Sequence, residues 1–297
     1  MPDLTADYLA MRREVGAVWL PRDFVRVTGP EAESFLQGQL SQDLAGMEPG
    51  TARLSFLLQP QGKVDALVRV TWMSDDELVL DVDSGWGEAV VARLERFKLR
   101  TKADIERVEW RCLALRGPRA HEMAEGHPRL VNDWPGLPGV DQVGPERVVR
   151  VPAGVRVCDI QAYEAVRIEA GVPVMGRELD EKTIPAETGI VERTVSFTKG
   201  CFTGQELVAR IDSRGGNVPR HLRGLVVLEN VLPPVGARVV VDGKEVGGLT
   251  SVAESLDRRA PVALAYVGRT VEPPTDATVS WEGGSATGRI EKLPLVS

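Results

Sequence analysis

Apolar and polar positions change period several times along the chain, and each change marks an element. Val25 and Val27 alternate with charged residues up to Thr28, after which Ala32, Phe35, Leu36 and Leu40 recur at helical spacing. A strand therefore leads into a helix over about Pro30 to Leu40, with Thr28 placed to cap it and Glu31 three residues on. The stretches ARLSFLLQPQGKVDALVRVTW and ELVLDVD read as strands, the first turning at Pro60, Gln61 and Gly62. Val90, Val91, Leu94 and Phe97 predict a helix within Gly87 to Leu99, and Val108 to Leu115 returns to strand. The resulting order, β, α, β, β, α, β over residues 24 to 115, fits a split βαβ unit or a larger α+β arrangement.

Residues 117 to 145 are rich in Gly and Pro and read as mobile chain, either irregular surface or a small insertion. A helix follows from Asp159 to Glu169, stopped by Gly171 and Pro173. Past Asn217 the pattern becomes short alternating strands cut by Gly, Pro and the Asp242-Gly243 turn, which predicts a small antiparallel barrel or sandwich. Two domains are expected, 15–218, made of two interleaved subdomains, and 219–297.

Composition narrows the function classes. No apolar run approaches the roughly 20 residues that span a bilayer, and the first twenty residues mix acids and bases with apolar residues, unlike a secretory signal. A cytoplasmic location with no membrane partner is expected. The net charge of −7 gives no overall attraction to a phosphate backbone, so direct nucleic-acid binding is not expected. Three widely spaced cysteines, Cys112, Cys158 and Cys201, suit reduced thiols better than a disulfide framework. With His121, His127 and His221 equally scattered, no ligand spacing for a metal site is present.

The densest chemical signal is KGCFTGQELVARIDSRGG, Lys199 to Gly216. Thr203 and Glu206 form a capping box, and Leu207, Val208 and Ile211 give the helix an apolar face. Cys201 would then sit just ahead of a helix N-terminus beside Lys199, where positive potential favours thiolate. The competing reading is a small buried hydrophobe in a tight turn, the commoner state of a free cysteine.

KGCFTGQE with VAR following, preceded by RIEAGVPVMG and IPAE, resembles the YgfZ family, folate-binding relatives of the glycine-cleavage T-protein that act in iron–sulfur cluster maintenance. VTGPEAESFLQGQLSQDL, LLQPQGKVDAL, GGLTS and LPLV resemble further blocks of that family in order, from about Trp19 to Leu295. Residues 117 to 145 match least. The resemblance implies an α+β, aminomethyltransferase-like folate-binding fold in three parts with a C-terminal antiparallel β-barrel, holding tetrahydrofolate or a one-carbon derivative in a central opening.

It also implies roles for particular residues. The pterin-recognising glutamate of the R-[IL]-E-A-G pattern matches Glu169, whose carboxylate could accept two parallel hydrogen bonds; the alternative is a solvated acid or a pair with Arg167. The aspartate that T-proteins carry after a Gly-rich turn is matched by Asp65, although Ala66 stands where a second acid is usual. Arg210 is a partner for the anionic glutamyl tail of folate, or else caps its own helix. Cys201, Lys199 and Asp65 form the candidate catalytic set, and Glu169, Asp65 and Arg210 the folate-binding set. The leading functional reading is an accessory protein that supports assembly or repair of iron–sulfur clients and so affects tRNA modification indirectly. The alternatives are a folate-dependent one-carbon transferase, either a glycine-cleavage T-protein or a demethylase, and a non-catalytic interaction module.

Overall fold

Three groups of strands organise the chain, described here in a computed structural model for residues 3–126, 128–213 and 215–297. His127 lies outside the described residues. The first group is a five-stranded sheet in the order β10-β1-β7-β9-β8, from β1 (Gly16–Leu20), β7 (Trp110–Arg116), β8 (Arg129–Val131), β9 (Gly139–Pro145) and β10 (Arg156–Val157). The second, in the order β3-β4-β5-β2-β6, contains β2 (Arg22–Thr28), β3 (Ala52–Leu58), β4 (Val64–Ser74), β5 (Glu77–Asp83) and β6 (Asp104–Val108). The third is a closed barrel of β11 (Arg220–Val227), β12 (Arg238–Val241), β13 (Lys244–Ser255), β14 (Ala260–Gly268), β15 (Thr275–Trp281) and β16 (Gly284–Glu291). Antiparallel pairing of β16 with β11 completes the ring and removes both edges.

Helices cover the sheets where the sequence supplies an apolar stripe. In α2 (Ala32–Gln39), Ala32, Phe35 and Leu36 pack with Val64, Ala66, Val68 and Val70, which alternate along β4 and face one way. Val90 and Leu94 of α3 (Gly87–Phe97) join the same core. The helix α5 (Ile160–Ala170) is buried along most of its length against β1, the helix α1 (Leu4–Arg13) and barrel strands β13 and β14. The Asp159 side chain accepts from the Gln161 N–H at 2.8 Å to open α5, and Gly171 at φ +74° closes it. Two short helices, α4 (Ala120–Met123) and α6 (Val191–Thr194), and the longer α7 (Gln205–Ser213) lie in the connections. Among the described residues no helix is long and apolar enough to cross a membrane.

Several local expectations need correction. Thr28 ends β2 rather than capping α2; Glu31 takes the cap position, and its carboxylate accepts from the Lys102 N–H at 2.7 Å. The single strand expected over Val108 to Leu115 is two, because the chain leaves β6 at the edge of one sheet and enters β7 in the middle of the other. The segment 117 to 145 is not an irregular appendage: β9 pairs with β7 over seven residues and with β8 on its other side. Buried Asp141 and Gln142 between Val140 and Val143 remove the alternation that would have marked it. The helix after Cys201 begins at Gln205, two residues beyond Thr203.

Candidate functional site

A cavity of about 270 Å³ opens where the two sheets meet α5. Leu54, Leu67 and Arg69 from β3 and β4 form one wall, and Asn132, Trp134 and Asp141 from the segment around β9 form another. Tyr163 and Glu164 enter from α5, and Val174, Met175 and Arg177 from the chain that follows it. Trp134 is folded inward by a tight turn in which it pairs with Leu137 in both directions at 2.9 Å. Its ring meets Tyr163 edge to face, with centroids 5.2 Å apart, and the Arg116 guanidinium lies 4.4 Å from its centre.

The polar side of the cavity is a chain of arginine–carboxylate pairs. Asp141 Oδ1 accepts from Arg116 Nη1 at 2.7 Å, while Oδ2 accepts from Asn132 Nδ2 at 2.8 Å and from Arg69. Arg69 continues to Asp81 at 2.8 Å. Burial alone would raise the Asp141 carboxyl, but Arg116 and Arg69 hold it well below the ordinary range, so it stays ionised. Glu164 accepts from Arg167 at 2.9 Å and 3.0 Å and also from Arg177.

Arg193 joins this cavity to two others. It also lines a hollow of about 310 Å³ with Arg223 and Lys292, and one of about 280 Å³ with Arg53. Among the described residues it makes no ion pair, its guanidinium donating to the Asp133 carbonyl at 3.4 Å, and the hollow with Arg223 and Lys292 has no acid in its wall. Arg223 Nε is buried there without a hydrogen-bond partner. This arrangement can receive an anion extending from the central cavity.

The residues singled out from sequence are distributed differently. Glu169 is fully buried and does not line the cavity; Tyr8 Oη donates to it at 2.6 Å and Arg12 forms an ion pair with it. Both partners lie in α1, before the expected domain start at residue 15. Asp65 also lies off the cavity wall and accepts from Arg93 Nε at 3.1 Å. Arg210 is exposed on α7, away from that wall. Lys199 does not stand free beside Cys201: its buried ammonium donates to the carbonyls of Gln37, Leu40 and Gln42 at 2.7, 2.9 and 2.8 Å, satisfying the C-terminal end of α2.

Cys201 is exposed, whereas Cys112 and Cys158 are buried. Burial pushes the Cys112 thiol up to about 12 and that of Cys158 to about 11, leaving both protonated at neutral pH. The turn carrying Cys201 is fastened to α2 not only by Lys199 but by the Thr203 N–H, which donates to the Gly38 carbonyl at 3.2 Å. Sequence reasoning missed Asn132, Trp134, Asp141, Glu164 and Arg193. The one signal for Trp134 is its Pro-Gly turn, which by sequence alone reads as irregular surface chain.

Residues 4–129 match the GCVT N-terminal domain, and residues 220–296 match the glycine cleavage T-protein C-terminal barrel domain. An aminomethyltransferase of Thermus thermophilus is 28% identical over 326 residues, spanning 99% of this chain and 90% of its own. A tRNA-modifying protein YgfZ of Edwardsiella ictaluri is 28% identical over 240 residues, or 73% of this chain and 71% of its own. The crystal structure of glycine cleavage system aminomethyltransferase T from Bartonella henselae superposes with a TM-score of 0.85 at 21% identity, covering 99% of this chain and 89% of that one. The fold is therefore aminomethyltransferase-like, with the barrel at its C-terminal end.

Proposed function

We propose that this chain, whose two ends match domains of the glycine cleavage T-protein, is a folate-binding relative of that protein, that its central cavity holds tetrahydrofolate or a one-carbon derivative, and that it supports assembly or repair of iron–sulfur centres in other proteins. The observation that carries the folate reading is that Arg193 lines both an aromatic and hydrogen-bonding cavity and the neighbouring hollow with Arg223 and Lys292. A planar pterin suits the Trp134 and Tyr163 wall, where Asn132 and Glu164 offer acceptors. The anionic glutamyl tail then runs toward Arg193, which takes the role expected of Arg210. Effects on tRNA modification would follow through iron–sulfur clients, in keeping with the net charge of −7.

The accessory role rests on Cys201, an exposed thiol held on a turn that Lys199 and Thr203 tie to α2. A soft thiolate can ligate or repair iron centres of a partner, a chemistry closed to the two buried cysteines. Similarity to aminomethyltransferases over nearly the whole chain favours a second reading, folate-dependent one-carbon transfer. Against it stand Ala66 after Asp65, and an Asp65 carboxylate engaged by Arg93 instead of lining the cavity. The two readings separate when the purified protein is incubated with one-carbon folates and an aminomethyl-carrying or methylated amine substrate. The accessory reading expects binding without turnover; steady folate conversion would replace it with the transferase.

A further inference from the structure

Glu164 stands between two hollows. It lines the central cavity, and with Arg177 it also lines a groove of about 710 Å³ bordered by α1, α5 and β13. Its carboxylate carries two guanidinium groups of unequal standing. Arg167 is fully buried and is held in addition by the Val172 carbonyl at 2.6 Å, Ser251 Oγ at 2.8 Å and Glu178 at 3.2 Å. Arg177 is half exposed, and among the described residues Glu164 is its one ion-pair partner.

Among the described residues, no other carboxylate on the cavity wall has so loose a partner. Asp141 is closed off by Arg69, Arg116 and Asn132, all fixed in the interior or against it. Asp83 is held by Arg22 at 2.5 Å and by the Met175 N–H at 2.9 Å. Arg167 grips both Glu164 oxygens, Nε on Oε1 and Nη2 on Oε2, so what Arg177 covers is the outer side of Oε2, and a ligand N–H can obtain that acceptor with the least disturbance by displacing Arg177.

We propose that Arg177 is a displaceable latch on the folate site, covering the outer side of Glu164 Oε2 that a pterin N–H takes on binding. This rests on the folate reading above. Arg167 stays in place throughout, so Glu164 keeps one cation and remains an acceptor when Arg177 leaves. The displaced guanidinium moves toward the open groove, where its charge returns to water. Because an exposed ion pair is weak, the latch sets the affinity and selectivity of the site without closing it: a ligand without an N–H donor at Oε2 gains nothing that offsets the lost pair.

The test is calorimetric titration of tetrahydrofolate into wild type, Arg177→Met and Glu164→Gln, each first checked for native thermal unfolding. Methionine keeps an aliphatic stem and removes the competing cation. Arg177→Met should bind about two- to fivefold more tightly, the range an exposed ion pair accounts for, and the gain should shrink at about 1 M salt, where the wild-type latch is screened. Glu164→Gln should bind about tenfold more weakly or worse, the usual consequence of losing hydrogen bonds to a charged group. Binding by wild type with an unchanged or weakened Arg177→Met would overturn the latch and leave the folate reading standing. Absence of binding by all three proteins would overturn that reading and the latch with it.

Discussion

Gly62 and Gly204 meet face to face: a β-carbon on Gly204 would lie 3.1 Å from the Gly62 Cα and 2.6 Å from the Gln59 carbonyl oxygen. Both adopt positive φ, +75° and +81°. The QPQGK turn and the GCFTGQE segment, 142 residues apart at Gly62 and Gly204, thus form one surface, and the first braces the second. Neither glycine tolerates a side chain, by conformation and by space alike. Gly204→Ala should destabilise the protein by about 2 to 4 kcal/mol, combining left-handed strain with overpacking. Urea unfolding measures it, and a loss under about 0.5 kcal/mol would mean that the two segments are not braced.

Cys201 should carry activity without carrying the fold. It is exposed, and its turn is held by Lys199 and Thr203, so Cys201→Ser should change stability by less than about 1 kcal/mol. Support of iron–sulfur enzymes in cells lacking the endogenous protein should be lost, because serine has neither soft nucleophilicity nor affinity for iron. Full rescue by the serine variant would remove Cys201 from the mechanism.

Glu169 has the opposite profile. Its carboxylate neutralises Arg12, whose side chain is 6% exposed, and Tyr8 shares it. Glu169→Gln leaves buried Arg12 with only the more distant Asp257 carboxylate, at 3.6 Å, and should cost about 3 kcal/mol of stability. Tetrahydrofolate affinity, measured where the variant is folded, should stay within about twofold of wild type, since Glu169 lines no part of the cavity. A stable variant with folate binding abolished would return Glu169 to the ligand site.

Acid should loosen the cavity through Asp141. Burial opposes its ionisation, yet Arg116 and Arg69 hold the folded carboxyl below the ordinary value of 3.8, so in acid the unfolded chain takes up this proton first. The contribution is complete above the ordinary carboxylate range and is lost as pH falls through that range toward the lowered folded value. Wild-type stability should therefore drop more steeply below about pH 5 than that of Asp141→Asn, which should already be less stable at neutral pH. Parallel acid-unfolding curves would show that Asp141 is not held by these arginines.

The sequence made the periodic elements legible. The stripe Val90, Leu94 identified α3, Asp159 and Gly171 bounded α5, and the Asp242-Gly243 turn, with φ of +50° and +74°, marked the hairpin of β12 and β13. The site was less legible because its polar groups are buried. Asp141 and Gln142 hid strand β9, and the Pro-Gly segment beside it concealed Trp134. Glu164 and Glu169 lie on one helix, five residues and so about 140° apart around its axis. Only the packing of α1 and the barrel on α5 decides which of them faces the cavity. Lys199 likewise looked like a cation beside a thiol, because nothing local reveals the three carbonyls 157 to 162 residues away that claim it.

The central claim, a reduced folate in the cavity walled by Trp134, Tyr163, Asn132 and Glu164, is tested most directly by calorimetric titration of the purified protein with tetrahydrofolate. Saturable binding at one site per chain, weakened at least about tenfold by Trp134→Ala through loss of the aromatic wall, is the expected result. No detectable binding of tetrahydrofolate or any one-carbon derivative by the natively folded protein would contradict it.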